Sequence, residues 1–163
     1  MPVRNCAEMG ENLQKIIQRL TANQDLCKLL YYTDYDPLNG ADISDEVVQK
    51  DIFGKLIRFI PSPRTKETAN PMISVYINKG LKLDANEEFR IVDIAITSYV
   101  PFTQWRIKDP TFRPFKIMGE VEKSLDGKTI NGLGKIHDNG FTLIDMTDEI
   151  SVYEQLFTIT TYY

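Results

Sequence analysis

Residues 88–100, EFRIVDIAITSYV, constrain this chain more than any other stretch. In an extended conformation Val92, Ile94 and Ile96 share one face, and Phe89, Ile91, Ala95 and Tyr99 share the other. A strand that is apolar on both sides belongs in the middle of a sheet, covered on both faces or covered on one by a partner subunit. Any fold for this chain must therefore place residues 88–100 centrally.

The rest of the sequence supplies companions for that strand. Residues 72–83 alternate Ile73, Val75 and Ile77 against Ser74, Tyr76 and Asn78, with Gly80 marking a bulge. Leu56 to Ile60 reads as a short strand closed by Pro61. Lys135–His137 and Phe141–Met146, separated by Asp138-Asn139-Gly140, read as a hairpin. Glu154 to Tyr162 reads as a terminal strand. Met9, Leu13, Ile16, Ile17 and Leu20 mark one face of a helix over residues 5–21, capped by Asn5. A second short helix is predicted over Asn23–Tyr32, and a third from Ser44 to near Gly54. Phe115, Met118, Val121 and Leu125 predict the core face of a helix over Phe112–Leu125, with Pro114 in its first turn and Gly127 after its end. These elements specify an α+β fold: a mainly antiparallel sheet of four to six strands packed by two main helices. The length of 163 residues fits a single domain, 1–163. The polar stretch 62–71, bounded by prolines, is expected to be a long exposed loop.

Composition narrows the function. Hydrophobic residues make up 42% and charged residues 26%, which places the chain among ordinary globular proteins. The formal net charge of −4 argues against gripping nucleic-acid phosphates. Cys6 and Cys27 are too few for a disulfide scaffold and are expected to be reduced thiols. No apolar leader and no membrane-length apolar run is present, so the expected setting is a reducing cytoplasm, with no membrane partner.

No motif for catalysis stands out, and no cofactor is expected. His137, the one histidine, has no nucleophile signature nearby. Glu120, Glu122 and Lys123 approach the carboxylate–lysine pattern of a metal-dependent nuclease, but an exposed charged helix face explains them better. Asp34, Asp36, Asn39, Gly40 and Glu46 approach a calcium loop. Counted back from Glu46, Asn39 and Gly40 fit, but Asp34 and Asp36 stand one residue too far upstream and Asp42 takes an apolar place. An Asx-capped turn is the plainer account. Tyr31, Tyr32, Tyr35, Tyr162 and Tyr163 lack interleaved basic residues, which favours protein contacts over base stacking.

The layout resembles the phage tail-terminator and tail-to-head joining family, with its lambda-type terminator fold. The resemblance runs from about residue 5 to residue 161. It rests on the N-terminal helix through Leu13, Ile16 and Leu20, the long strand pair, and the polar loop between Pro61 and Pro71. Arg113-Pro114-Phe115-Lys116-Ile117-Met118 opening the second main helix, Asn131-Gly132-Leu133-Gly134 after it, and the last strand Leu156–Thr160 complete it. Segment 34–54 has no counterpart in that layout and reads as an insertion.

The resemblance implies a structural virion protein assembled in the host cytoplasm: a homohexameric ring that ends tail-tube growth and docks on the head connector or stopper protein. DNA would pass through its lumen, and an acidic chain suits a wall that must not hold phosphates. Another head-completion protein, a stopper or adaptor, is the neighbouring alternative. A divalent-metal-binding module or nuclease is the alternative from a different class. For partner contacts the candidates are Arg64, Lys66 and Glu67 in the polar loop, and Trp105 with Arg106, since tryptophan and arginine are favoured at interface hot spots. The competing role for Trp105 is to plug the core beside Phe102 and Phe112.

Overall fold

The computed structural model describes residues 5–59, 70–82, 89–130 and 134–160. The helices are α1 (Cys6–Thr21), α2 (Gln24–Tyr31), the single turn α3 (Asp45–Val47), which runs into a π turn over Val48–Ile52, and α4 (Arg113–Leu125). The strands are β1 (Ile57–Arg58), β2 (Met72–Lys82), β3 (Phe89–Pro101), β4 (Thr129–Ile130), β5 (Gly134–Met146) and β6 (Ile150–Thr160). They form one curled sheet in the order β1-β2-β3-β6-β5-β4. The fold is α+β, as the sequence indicates. β3 lies centrally between β2 and β6, antiparallel to both.

The caps follow local chemistry. The Asn5 side chain accepts the Glu8 amide at 3.0 Å, Asn23 accepts that of Leu26 at 3.0 Å, and Ser44 accepts that of Val47 at 3.3 Å. Ile16, Ile17 and Leu20 of α1 and Leu26, Leu29 and Leu30 of α2 are at most 1% exposed, and they pack with Ile117, Val121 and Leu125 of α4. The sheet meets this helical layer through Ile73, Val75, Ile94, Ile96, Phe157 and Ile159. Each such side chain contributes roughly 1.5–3 kcal/mol relative to leaving it exposed. A smaller cluster of Met72, Tyr99, Ile150 and Val152 gathers on the sheet's other face. There Ala95 and Thr97 are also buried, with the Tyr76 hydroxyl donating to Glu154 at 3.2 Å and lying 3.4 Å from the Thr97 hydroxyl.

Segment 34–54 is integral to the core. Ile43, Val48 and Ile52 are buried in the main cluster. The Gln24 side chain pairs with the Ile43 backbone in both directions, at 2.8 and 2.9 Å, and Lys28 reaches Asp42 at 2.8 Å. The Tyr32 ring packs against Gly40, where a Cβ would collide with it, and its hydroxyl donates to the Ala41 carbonyl at 2.8 Å.

Four sequence expectations need correction. First, the strand expected from Leu56 to Ile60 is β1, only Ile57–Arg58 and parallel to β2 with Ile57 opposite Ile73; every other pairing is antiparallel, so the sheet is mixed and, as expected, mainly antiparallel. Gly54, at φ +77, turns the chain into it. Second, Asp138-Asn139-Gly140 is a bulge within one long strand. Both flanks pair with β6, Ile136 with Ile159 and Phe141 with Gln155, and the true reversal is at Thr147–Glu149. The local turn chemistry is real: the Asp138 carboxylate accepts the Gly140 amide at 2.7 Å and Gly140 sits at φ +93. Cross-strand pairing outweighs it. Third, Gly80 stays in register opposite Val92, and the bulges flank it at Ile77/Lys79 and Leu81/Lys82. Its missing side chain leaves room for the Phe89 ring, whose nearest atom would lie 3.0 Å from a Cβ. Fourth, Phe115 is 38% exposed, and the core face of α4 runs through Ile117, Met118, Val121 and Leu125.

Candidate interaction surface

The connector from Pro101 to Phe112 folds back on itself before α4 begins. Arg106 bridges Phe112, the Arg113 amide donates to the Trp105 carbonyl at 2.8 Å, and the Phe102 amide donates to that of Glu149 at 2.8 Å. Arg113 anchors the arrangement. Its side chain is fully buried and its guanidinium donates to four backbone carbonyls: Gln104 (2.8 Å), Leu29 (2.6 Å), Tyr32 (2.8 Å) and Asp34 (2.6 Å). Leu29 and Tyr32 belong to the C-terminal end of α2, where carbonyls lack helical partners and the helix dipole favours a cation. Burial pushes the guanidinium down to about 10, which keeps it charged at neutral pH, with the nearby Asp34 carboxylate working the other way. The Asn70 amide donates to the Leu30 and Tyr31 carbonyls at 3.2 and 3.0 Å, completing that helix end.

On this base stands a continuous set of rings. Trp105 lies 5.4 Å from Phe102, 6.0 Å from Phe112, 6.3 Å from Phe115 and 6.4 Å from Tyr153, centroid to centroid. Phe115, Tyr153 and Phe141 close a triangle with sides of 5.5, 5.9 and 6.2 Å. These are edge-to-face and tilted contacts, which are favoured between aromatic rings. The Trp105 indole nitrogen donates to the Ser151 hydroxyl at 3.0 Å, which fixes the ring. The cluster is open to solvent on its outer side, with Phe112 52%, Phe115 38% and Phe141 53% exposed, and along β5 Leu143 (46%) and Met146 (63%) pair opposite Tyr153 and Ser151. Scattered apolar side chains on a surface need no explanation, but a contiguous group built on such a base is a candidate contact surface.

The strand carrying Phe141, Leu143 and Met146 also has an open margin. β4 pairs only with Gly134 and Lys135; Lys128 and Asp126 then accept the Ile136 and Asp138 amides. Beyond Asp138 no described strand lies on the outer side of β5. At the opposite end of the sheet β1 pairs with β2 only at Ile73 and Ser74, so β2 from Val75 onward is likewise open among the described residues.

The residues singled out from sequence fall as follows. Trp105 is half-buried at the centre of the cluster, and Arg106 is exposed beside it. Arg64, Lys66 and Glu67, with the rest of the loop 62–69, lie outside the described residues, as do Tyr162 and Tyr163. Tyr31 and Tyr32 pack against the core, whereas Tyr35 is exposed. His137 is exposed in mid-strand, opposite Thr158.

The two metal patterns are spent locally. Asp34 accepts the Asp36 amide at 2.8 Å, which is the expected Asx turn. Asp36 accepts the Asn39 amide at 2.7 Å and Lys108 at 3.3 Å, and these partners hold its carboxyl below the usual range. Glu120 is 5% exposed, which corrects the expectation of a wholly exposed charged face. It takes the Asn23 side-chain amide at 3.0 Å and so ties α4 to the cap of α2. Glu122 is exposed and raised, first by partial burial and then by Asp138 and Asp126. Among the described residues, no group of three or more His, Cys, Asp or Glu side chains could hold a metal ion. No described helix is long and apolar enough to cross a membrane.

Sequence reasoning missed the exposed apolar side of β5. The bulge at Asp138–Phe141 resets its alternation and hides which residues share a face.

No curated protein matches the chain. The YomW family model matches residues 23–159, which takes in α2, the segment 34–54, the connector, α4 and every strand. The chain therefore belongs to the YomW family, a phage-derived protein family.

Proposed function

We propose that this protein is a structural component of a phage neck or tail end. It would form a ring that terminates the tail tube and joins it to the head connector, with DNA passing through the lumen and no catalysis involved. Membership of a phage-derived family supports the setting. The observation that carries the reading is the rigid, solvent-facing aromatic cluster around Trp105 and Phe115 beside an open strand margin. Interface cores are enriched in such aromatic side chains and depleted of charge. The net charge of −4 suits a wall past which DNA slides.

The test is mass measurement on the purified protein, alone and with tail tubes and head connector, together with capture of tail-tube protein. Ring-sized assembly, or stable seating on tubes, is expected. A chain that stays monomeric and binds neither partner overturns the reading.

A further inference from the structure

We infer that copies of this protein join edge to edge, the open margin of β5 in one copy pairing antiparallel with the open margin of β2 in the next. The inference rests on the ring reading above and specifies how the ring is held.

Three observations point to it. Two stretches of strand lack a neighbour among the described residues: β5 beyond Asp138 and β2 beyond Ser74. An unpaired strand margin is a template for another strand, and natural proteins usually protect it. Here β5 is unprotected by charge along Phe141 to Ile144, and Phe141, Leu143 and Ile144 are 44–53% exposed.

The two margins carry opposite charge. Residues 76–82, YINKGLK, contain Lys79 and Lys82 and no acid. Residues 139–149, NGFTLIDMTDE, contain Asp145, Asp148 and Glu149 and no base. Two copies of β5 facing each other would bring together two acid-bearing strands, whereas pairing residues 142–146 with 78–82 of the next copy sets Asp145 opposite Lys79, with Asp148 and Glu149 following toward Tyr76 and Val75. Opposite-charge pairs across strands are favoured and like pairs are not.

Direction and height also agree. β2, β3, β6 and β5 alternate in direction, so β5 runs antiparallel to β2 and the alternation continues into the next copy. Across the sheet Asp145 is level with Met72, through Val152 and Tyr99. The open part of β5 therefore sits lower than the open part of β2, and pairing them staggers each copy along the strand direction. A sheet closing into a barrel requires such a stagger with tilted strands. The contact is head to tail, and a head-to-tail contact closes into a ring when its rotation allows.

The experiment uses the full chain and two charge-swapped variants, Lys79→Glu/Lys82→Glu and Asp148→Lys/Glu149→Lys. Each alone is expected to raise the protein concentration needed for assembly by about tenfold. An equal mixture of the two should restore assembly with the variants alternating, because a contact between unlike variants joins opposite charges. Amides of residues 141–146 should exchange slowly in the wild-type assembly and fast in either variant alone. If wild type assembles and both variants assemble like it, or the mixture is not rescued, the edge pairing is wrong while the ring reading survives. An effect confined to Asp148→Lys/Glu149→Lys would replace it with β5 pairing to itself. A wild-type chain that never associates, with tail tubes and connector present, removes the inference and the ring reading together.

Discussion

Arg113 shows how much one side chain decides. A buried cation normally needs a carboxylate, but here four oriented carbonyls from α2, the loop after it and the connector accept all its near donors. Arg113→Met would leave those carbonyls without partners in the interior, at a cost of about 4 kcal/mol or more. Denaturant unfolding should show a midpoint far below wild type, since whole-domain stability is only about 5–15 kcal/mol. Glu122 offers a finer test. Partial burial, Asp138 and Asp126 raise its carboxyl in the folded state above its unfolded value. Its contribution to stability is full below the unfolded value and is lost as pH rises through the folded one. Glu122→Gln should therefore melt above wild type at neutral pH, and the gap should close as pH falls through about 4.3, the ordinary glutamate value. A gap independent of pH would show that the crowding with Asp126 and Asp138 is not the cause.

At the scale of elements, the strands and helices with clean periods were legible. The central position of β3 follows from its two apolar faces, and α1 from the run Met9 to Leu20. What was not legible came from pairing and from bulges. Nothing local shows that Ile57 runs parallel to Ile73, because that depends on a partner sixteen residues on. Asp138-Asn139-Gly140 carries a real turn preference that the continuous β5–β6 ladder overrides. Phe115 keeps helical spacing with Met118 and Val121, yet it turns to Phe141 and Tyr153. Trp105 could be singled out by residue type, but its ring neighbours on β5 and β6 lie beyond local reach. The bulge makes its own prediction. Asp138 and Phe141 both face the helices although they stand three positions apart, because one extra residue is accommodated there. Deleting Asn139 should either force the strand to find another bulge or move Phe141 away from Phe115. Near-ultraviolet circular dichroism of the aromatic cluster would lose intensity while the far-ultraviolet spectrum stayed close to wild type.

For the whole molecule, a curled sheet backed by helices on one face presents an aromatic cluster at one end and a strand margin beside it. Phe112→Ser/Phe141→Ser removes exposed rings without touching the main core. It should leave the melting temperature within a few degrees of wild type while weakening self-association, read by sedimentation. A large drop in melting temperature would mean that these rings serve the fold. The Arg113 junction has a further consequence at this scale. It links α2, the connector and α4 through a charge whose direct partners are peptide dipoles. Mobile ions weaken exposed pairs such as Lys108–Asp36 but reach a fully buried guanidinium poorly. Raising ionic strength should thus loosen contacts between copies well before it loosens the subunit, so that an assembly taken apart by salt yields intact monomers ready to reassemble on dilution.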